Sequence, residues 1–241
     1  MNALPSVLIK LSGELFKDAA GALTAVTAQR LISEIKELTA THHVGIVIGG
    51  GNFFRGSIQG KQLGLHPQAG HAVGMHATVL NGLILQELLQ QAGLITYLVS
   101  PTRMHGTTQA IEPDILQEAR ERRGIIIFVG GSGNPFFTTD TTAIIRGLHI
   151  GATLILKATN IDGVYTKDPR KHPDAQRLSR VTYAYALEHK LGIMDATALT
   201  LASEHQLTIR VFSMNAPAAL SQALHNEQFG STILHHTERV T

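Results

Sequence analysis

Cysteine is missing altogether from this chain of 241 residues. That excludes disulfides, zinc–thiolate sites and a thiol nucleophile, so packing and hydrogen bonds alone must hold the fold. A dominant charge is missing too. The 20 Lys and Arg residues face 18 Asp and Glu, a net charge of +2, which is too little for a general nucleic-acid binder. The pI near 9.0 reflects only how a small excess shifts the titration balance, and the short cluster Arg120, Arg122, Arg123 reads as a solvated helix end. No uninterrupted apolar run approaches the ~18 residues of a membrane span, and the first residues lack a signal-peptide core. A cytoplasmic protein with no membrane or nucleic-acid partner is expected. What the chain does have is 44% apolar residues against 16% charged, the balance of a compact enzyme with a large core.

Familiar nucleotide-binding signatures are absent as well. Neither a Gly-x-x-x-x-Gly-Lys-[Ser/Thr] loop nor a Gly-x-Gly-x-x-Gly fingerprint occurs, so any nucleotide chemistry uses another scaffold. The 13 histidines do not assemble a metal site: His66, His71 and His76 are five apart, about 140° of rotation on a helix, and diverge. No protein-held metal is expected. With no internal repeat, low-complexity tract or linker, residues 1–241 read as one domain.

The apolar pattern alternates. Strands are expected at Ser6–Leu11, Val44–Ile48, Leu94–Val99, Ile125–Val129, Thr153–Leu156 and Thr208–Phe212, with an edge strand at Thr232–Leu234. Between them helices are expected from about Thr24 to Ala40, and over Ala77–Gln91, Pro113–Arg122 and Thr138–Leu148. Three more follow, over Tyr183–Lys190, Ala196–His205 and Pro217–His225, after an irregular stretch from Ala158 to Arg180. Such alternation predicts an α/β fold, a three-layer sandwich with a central, mainly parallel sheet. The apolar residues of Ala77–Gln91 cover too wide an arc for one surface face, so that helix is sandwiched in the fold or covered by another subunit.

Four polar clusters stand at expected strand ends. Gly131-Ser132-Gly133-Asn134-Pro135-Phe136-Phe137-Thr138-Thr139-Asp140 joins a buried strand to a helix, where unpaired N–H groups and the helix dipole favour anions. Two phenylalanines in a mere capped turn would be odd, and Asp140 suits the orienting of a lysine. Lys10-Leu11-Ser12-Gly13 puts a cation inside an apolar strand, costly unless it meets an anion or emerges at the strand's end. Gly49-Gly50-Gly51-Asn52-Phe53-Phe54-Arg55-Gly56 combines close backbone approach with a forked cation. The last cluster, Lys157 to Pro169, pairs a second strand-end lysine with Tyr165 and Asp168 and suggests a purine pocket.

Taken in order, Lys10 to Glu14, Ile48 to Gly56, Gly74 to Thr78, Ser132 to Asp140, Lys157 to Asp168 and Met194-Asp195-Ala196 resemble the bacterial uridylate kinases of the amino-acid-kinase superfamily. The resemblance spans about Val7 to Ile233. It implies ATP-dependent conversion of UMP to UDP with Mg²⁺, in pyrimidine nucleotide biosynthesis, by a homohexamer built as a trimer of dimers. It also implies an acceptor lobe at about 1–150 and an ATP lobe at about 151–241 that share one sheet. Lys10, Arg55, Asp140 and Asp195 are the catalytic residues it implies. Lys10, Leu11, Ser12, Gly13, Gly51, Arg55, Lys157, Thr159, Tyr165 and Asp168 would bind ATP. Gly50, His71, Ser132, Gly133, Asn134, Pro135, Phe136, Phe137, Thr138 and Thr139 would bind UMP.

Three departures accompany the likeness. His71 stands where the family carries a ribose-binding Asp. The segment between Glu14 and Leu23 lacks a glycine-rich effector loop, and Gln86 and Gln90 stand where GTP-activated members tend to carry Arg and His. The competing readings are a kinase for another small anion, and a non-catalytic ATP-binding relative. The nucleotide-sized loop at Ser132–Asp140 argues against the first. Retention of Lys10, Arg55, Asp140 and Asp195 argues against the second.

Overall fold

Alternation along the first strand divides the molecule into layers. In the computed structural model, which describes residues 4–16 and 25–235, β1 (Ser6–Leu11) sends Val7, Ile9 and Leu11 into one core and Leu8 into another on the opposite face. The elements that follow are α1 (Ala25–Thr39), β2 (His43–Ile48), α2 (Pro67–Gln91), β3 (Thr96–Ser100), β4 (Gln109–Ala110), α3 (Pro113–Glu121) and β5 (Ile125–Phe128). Next come α4 (Thr139–His149), β6 (Ala152–Thr159), β7 (Val164–Tyr165), β8 (Arg177–Leu178) and β9 (Arg180–Thr182). The chain continues through α5 (Tyr183–Glu188), α6 (Ala196–Glu204), β10 (Thr208–Ser213), α7 (Ala219–His225) and β11 (Ser231–Leu234).

Nine strands form one sheet in the order β4-β3-β5-β2-β1-β6-β10-β11-β9. Every neighbouring pair is parallel except β10 with β11. Helices α1, α2 and α7 cover the face reached by Val7, Ile9 and Leu11, whereas α3, α4, α5 and α6 cover the face reached by Leu8. This is the expected three-layer α/β sandwich.

Some expectations need correction. Helix α2 begins at Pro67, ten residues before Ala77, with proline in its first turn and the His66 side chain as its cap. Residues 67–76 are mostly solvent-facing and rich in Gly and His, so no apolar stripe marks them. Although no unbroken apolar run exists, α2 is 25 residues long and holds an 18-residue window of mean hydropathy 1.2, so it passes as a membrane span by length and composition. Its place in the fold says otherwise. Leu85 and Leu89 are fully buried against the sheet, and Thr78 and Asn81 are buried with them. The stretch 158–180 is not wholly irregular either, for β7 and β8 pair as an antiparallel hairpin within it. The segment between Glu14 and Leu23, which lacks a glycine-rich effector loop, and the start of the first helix at Thr24 fall largely outside the described residues.

Candidate active site

Strand β1 has β2 on one side and β6 on the other, so the chain reverses its direction of travel across the sheet there. In open α/β sheets the crevice at such a switch point is where ligands bind. Lys10 on β1 lies directly beside Lys157 on β6. Two adjacent ammonium groups repel, and burial makes the repulsion worse. Asp140, in the first turn of α4, resolves it by bridging them. Its Oδ2 accepts a hydrogen bond from Lys157 Nζ at 2.7 Å, and its Oδ1 stands 2.9 Å from Lys10 Nζ as an ion pair without hydrogen-bond geometry. Lys157 Nζ also donates to the Ile193 carbonyl.

The electrostatics follow from this arrangement. Burial pushes the Asp140 carboxyl up, but Lys10 and Lys157 together outweigh it and hold the group below the usual carboxylate range. Burial pulls the Lys157 ammonium below its ordinary value, with Asp140 opposing and Lys10 assisting. The trio carries one excess positive charge, which suits it to meeting an anion.

Asp195 ties the surrounding helices together. As the cap of α6 it accepts from Ala198 N at 2.8 Å, and its two oxygens also accept from Thr141 Oγ1 and Thr138 Oγ1. Thr138 in turn caps α4, accepting from Asp140 N at 2.9 Å. The amino ends of α4 and α6 therefore meet beside the lysines, and their dipoles add to the attraction for anions.

The glycine-rich turns after β1 and β2 pack against each other. A Cβ at Gly13 would lie 2.1 Å from Asn52 Oδ1 and 2.4 Å from Asn81 Nδ2, so a larger residue would have to displace both asparagines. Asn52 and Asn81 exchange amide hydrogen bonds at 2.7 and 3.1 Å, and buried Asn81 also donates to the Gly49 carbonyl. At Gly50 a Cβ would lie 2.6 Å from Thr78 N, which holds that turn against α2. Arg55 donates from Nε to the Gly51 carbonyl at 3.3 Å and lies 3.8 Å from Glu14, with its guanidinium half exposed.

On the other side of α2, Thr78 Oγ1 accepts from Gly130 N at 2.8 Å, anchoring the loop that begins there. Within it Ser132 Oγ accepts from Asn134 N and donates to Asn134 O, a tight turn. Phe136 adopts φ +73°, a left-handed conformation that a bulky residue rarely takes, and is 65% exposed. Its ring meets that of His71 with centroids 4.9 Å apart and planes inclined at 55°. Beyond β6 a cavity of about 400 Å³ is lined by Lys157, Thr159, Tyr165 and Asp168 together with residues 189–193. Tyr165 donates to Asp162 there, and Asp168 accepts from Arg170.

A sequence model of the amino acid kinase family matches residues 5–213. The chain belongs to that family. It is 42% identical to a uridylate kinase of Yersinia enterocolitica across the whole of this chain and 98% of the other. Two crystal structures are similar over almost the full length. The UMP kinase of Ureaplasma parvum has a TM-score of 0.90 at 32% identity, covering 97% of this chain and all of that one. The UMP kinase of Bacillus anthracis has 0.92 at 27% identity, covering all of both chains.

In this member of the amino acid kinase family most of the expected site residues fall into three places, while Ser12, Gly13, Gly51 and Arg55 lie in the turns after β1 and β2. Lys10, Lys157, Asp140 and Asp195 gather at the switch point. Thr159, Tyr165 and Asp168 line the cavity beyond β6. Gly50 packs on α2, and His71 on α2 meets Phe136 of the Ser132–Thr139 loop. Leu11 differs from the rest: its side chain is fully buried in the core, and its carbonyl accepts from Gly49 N at 2.9 Å. Gln86 and Gln90 line a separate cleft with Arg103, Glu118 and Arg122 at the β3 edge. Sequence reasoning missed Asn81, Thr78 and the Ile193 carbonyl. Polar residues inside an otherwise apolar helix were the available signal for the first two.

Proposed function

We propose that this chain transfers the γ-phosphoryl group of ATP to UMP, giving ADP and UDP. The observation that carries this reading is the Lys10–Asp140–Lys157 bridge. It sits between a cavity fit for a nucleotide on the ATP side and the Gly-Asn-Pro-Phe-Phe-Thr-Thr-Asp loop on the acceptor side. The full-length likeness to a uridylate kinase supports the choice of UMP. The acceptor would be held mainly by a lobe at about residues 1–150 and ATP by a lobe at about 151–241, with Lys10 and the glycine-rich turns of the first lobe reaching the ATP phosphates.

The attacking atom is a phosphate oxygen of UMP, already ionised at neutral pH, so no general base is needed. Its new bond to the γ-phosphorus forms as the bond to the β–γ bridging oxygen breaks, and the electron pair leaves with ADP. Catalysis is then alignment of two polyanions and neutralisation of the charge that moves. Lys10, steered by Asp140, would meet the β- and γ-oxygens, and Arg55, in the glycine-rich turn after β2, would add a second cation. Among the described residues no three His, Cys, Asp or Glu side chains form a metal cage, and both Asp140 and Asp195 already have protein partners. Mg²⁺ would enter as part of the MgATP substrate and would supply further charge neutralisation there. In a coupled assay UMP should be turned over well ahead of CMP, carbamate and N-acetylglutamate. Preference for one of the small acids would overturn the reading.

The enzyme would work in the cytoplasm in pyrimidine nucleotide synthesis, as a homohexamer assembled from dimers. Helix α2 supports the assembly: Val73, Leu80 and Leu83 stay 42%, 49% and 39% exposed along one face, an apolar stripe. Leu88 and Leu89 are unsuitable probes of it, since Leu89 is fully buried and Leu88 packs on the same core. Replacing both Leu80 and Leu83 with glutamate should lower the mass in light scattering from that of a hexamer while leaving circular dichroism unchanged. An unchanged mass, or a monomeric wild type, would contradict the assembly.

A further inference from the structure

One cation near the acceptor loop has no counter-charge. Arg146 lies six residues beyond Asp140 on α4, about 9 Å along the helix axis, and is only 5% exposed. Among the described residues no carboxylate forms an ion pair with it. Its Nη2 donates to the Gly131 carbonyl at 3.3 Å and its Nη1 to His149 Nδ1 at 3.3 Å, while buried Nε has no partner. Burial pulls its pKa down, yet a guanidinium stays charged in proteins. An unpaired buried charge is among the costlier features a fold can keep, and a neutral side chain would fill the space at less cost.

The carbonyl it holds explains why a charge is useful. Gly131 C=O belongs to the same peptide as the Ser132 N–H, at the start of the acceptor loop. A charged donor on the oxygen polarises that peptide and makes the N–H a stronger donor. Gly131 itself is left-handed at φ +62°, and a Cβ there would come within 3.0 Å of Met75 Cγ on α2. With Gly130 N held by Thr78, the turn is gripped by α2 on one side and by Arg146 on the other.

We propose that Arg146 is a positioning residue for the phosphate acceptor: it fixes and polarises the Gly131–Ser132 peptide and leaves a positive charge beneath the loop that binding of UMP offsets. This rests on the reading of the chain as a UMP kinase. Arg146 takes no part in the ATP side, so its loss should affect one substrate only.

The test is steady-state kinetics of Arg146→Met and Arg146→Lys, varying UMP and ATP separately, with thermal unfolding measured with and without UMP. Arg146→Met is expected to raise the UMP KM about tenfold (~1.4 kcal/mol) and leave the ATP KM within about twofold. UMP should protect it less against unfolding than it protects the wild type, and Arg146→Lys should recover part of both effects. A lowered unfolding temperature with UMP KM and UMP protection both as in wild type would mean a structural role and overturn the proposal. If Arg146→Met does not fold, Arg146→Lys alone decides: an unchanged UMP KM counts against the proposal, a raised one for it. A wild type that does not phosphorylate UMP would instead sink the functional reading on which the proposal rests.

Discussion

Lys10→Ala is expected to slow single-turnover phosphoryl transfer at least about 1,000-fold, roughly 4 kcal/mol of barrier, without loss of fold. Lys10 is the partner that Asp140 holds by charge without hydrogen-bond geometry, and its side chain keeps 13% of its surface exposed at the crevice. Its ammonium is therefore the one available to follow negative charge as it moves from the γ-phosphoryl group onto ADP. Stability should survive because the substitution leaves Asp140 paired with Lys157, a neutral couple, and removes the repulsion between the two lysines. Circular dichroism and thermal unfolding would confirm the fold. If the variant retains more than about a tenth of wild-type turnover, less than ~1.4 kcal/mol, Lys10 is not catalytic.

Asp140→Asn reverses that balance and should harm both stability and rate. It leaves two ammonium groups side by side on neighbouring strands with no carboxylate between them, and breaking a buried ion pair in this way typically costs about 3–5 kcal/mol. The pH dependence carries the signature. In the wild type Asp140 sits below its ordinary value, so its contribution is complete above about pH 4 and is lost as the pH falls through the lowered folded value. Lys157 is lowered as well, which means that the unfolded chain binds its proton more readily and stability rises with pH between the folded and unfolded values. Removing Asp140 lowers Lys157 further, so the rise in unfolding temperature with pH should start at lower pH and be larger in the variant. Turnover should fall much more than ATP binding, because an aligned lysine matters most in the transition state. Unchanged stability with only the ATP KM altered would contradict the bridge.

The strands could be read from sequence wherever burial on both faces made them continuously apolar, as at residues 125–128 between β3 and β2. That Asp140, opening a helix, would orient a lysine was also legible, although the residue pattern alone did not say which lysine it meets. What was not legible depends on tertiary contact. Lys157 reads as a ligand for ATP in the sequence, yet its adjacency to Lys10 arises only when β6 docks beside β1. The β7–β8 hairpin pairs residues some 13 apart through two-residue strands, too short for any periodicity. Asn81, Thr78 and Arg146 sit among apolar neighbours on their helices, and their partners come from other loops. The first ten residues of α2 escaped because they are mostly solvent-facing, although Pro67 marks their start.

The most direct test of the account follows the phosphoryl group itself. Purified protein given MgATP labelled at the γ-phosphorus, together with UMP, should place the label in the β-position of UDP, one UDP for each ADP formed. Lys10→Ala under the same conditions should yield almost none. Label released as inorganic phosphate, or no transfer to UMP by the folded wild-type protein, would contradict the assignment of this site.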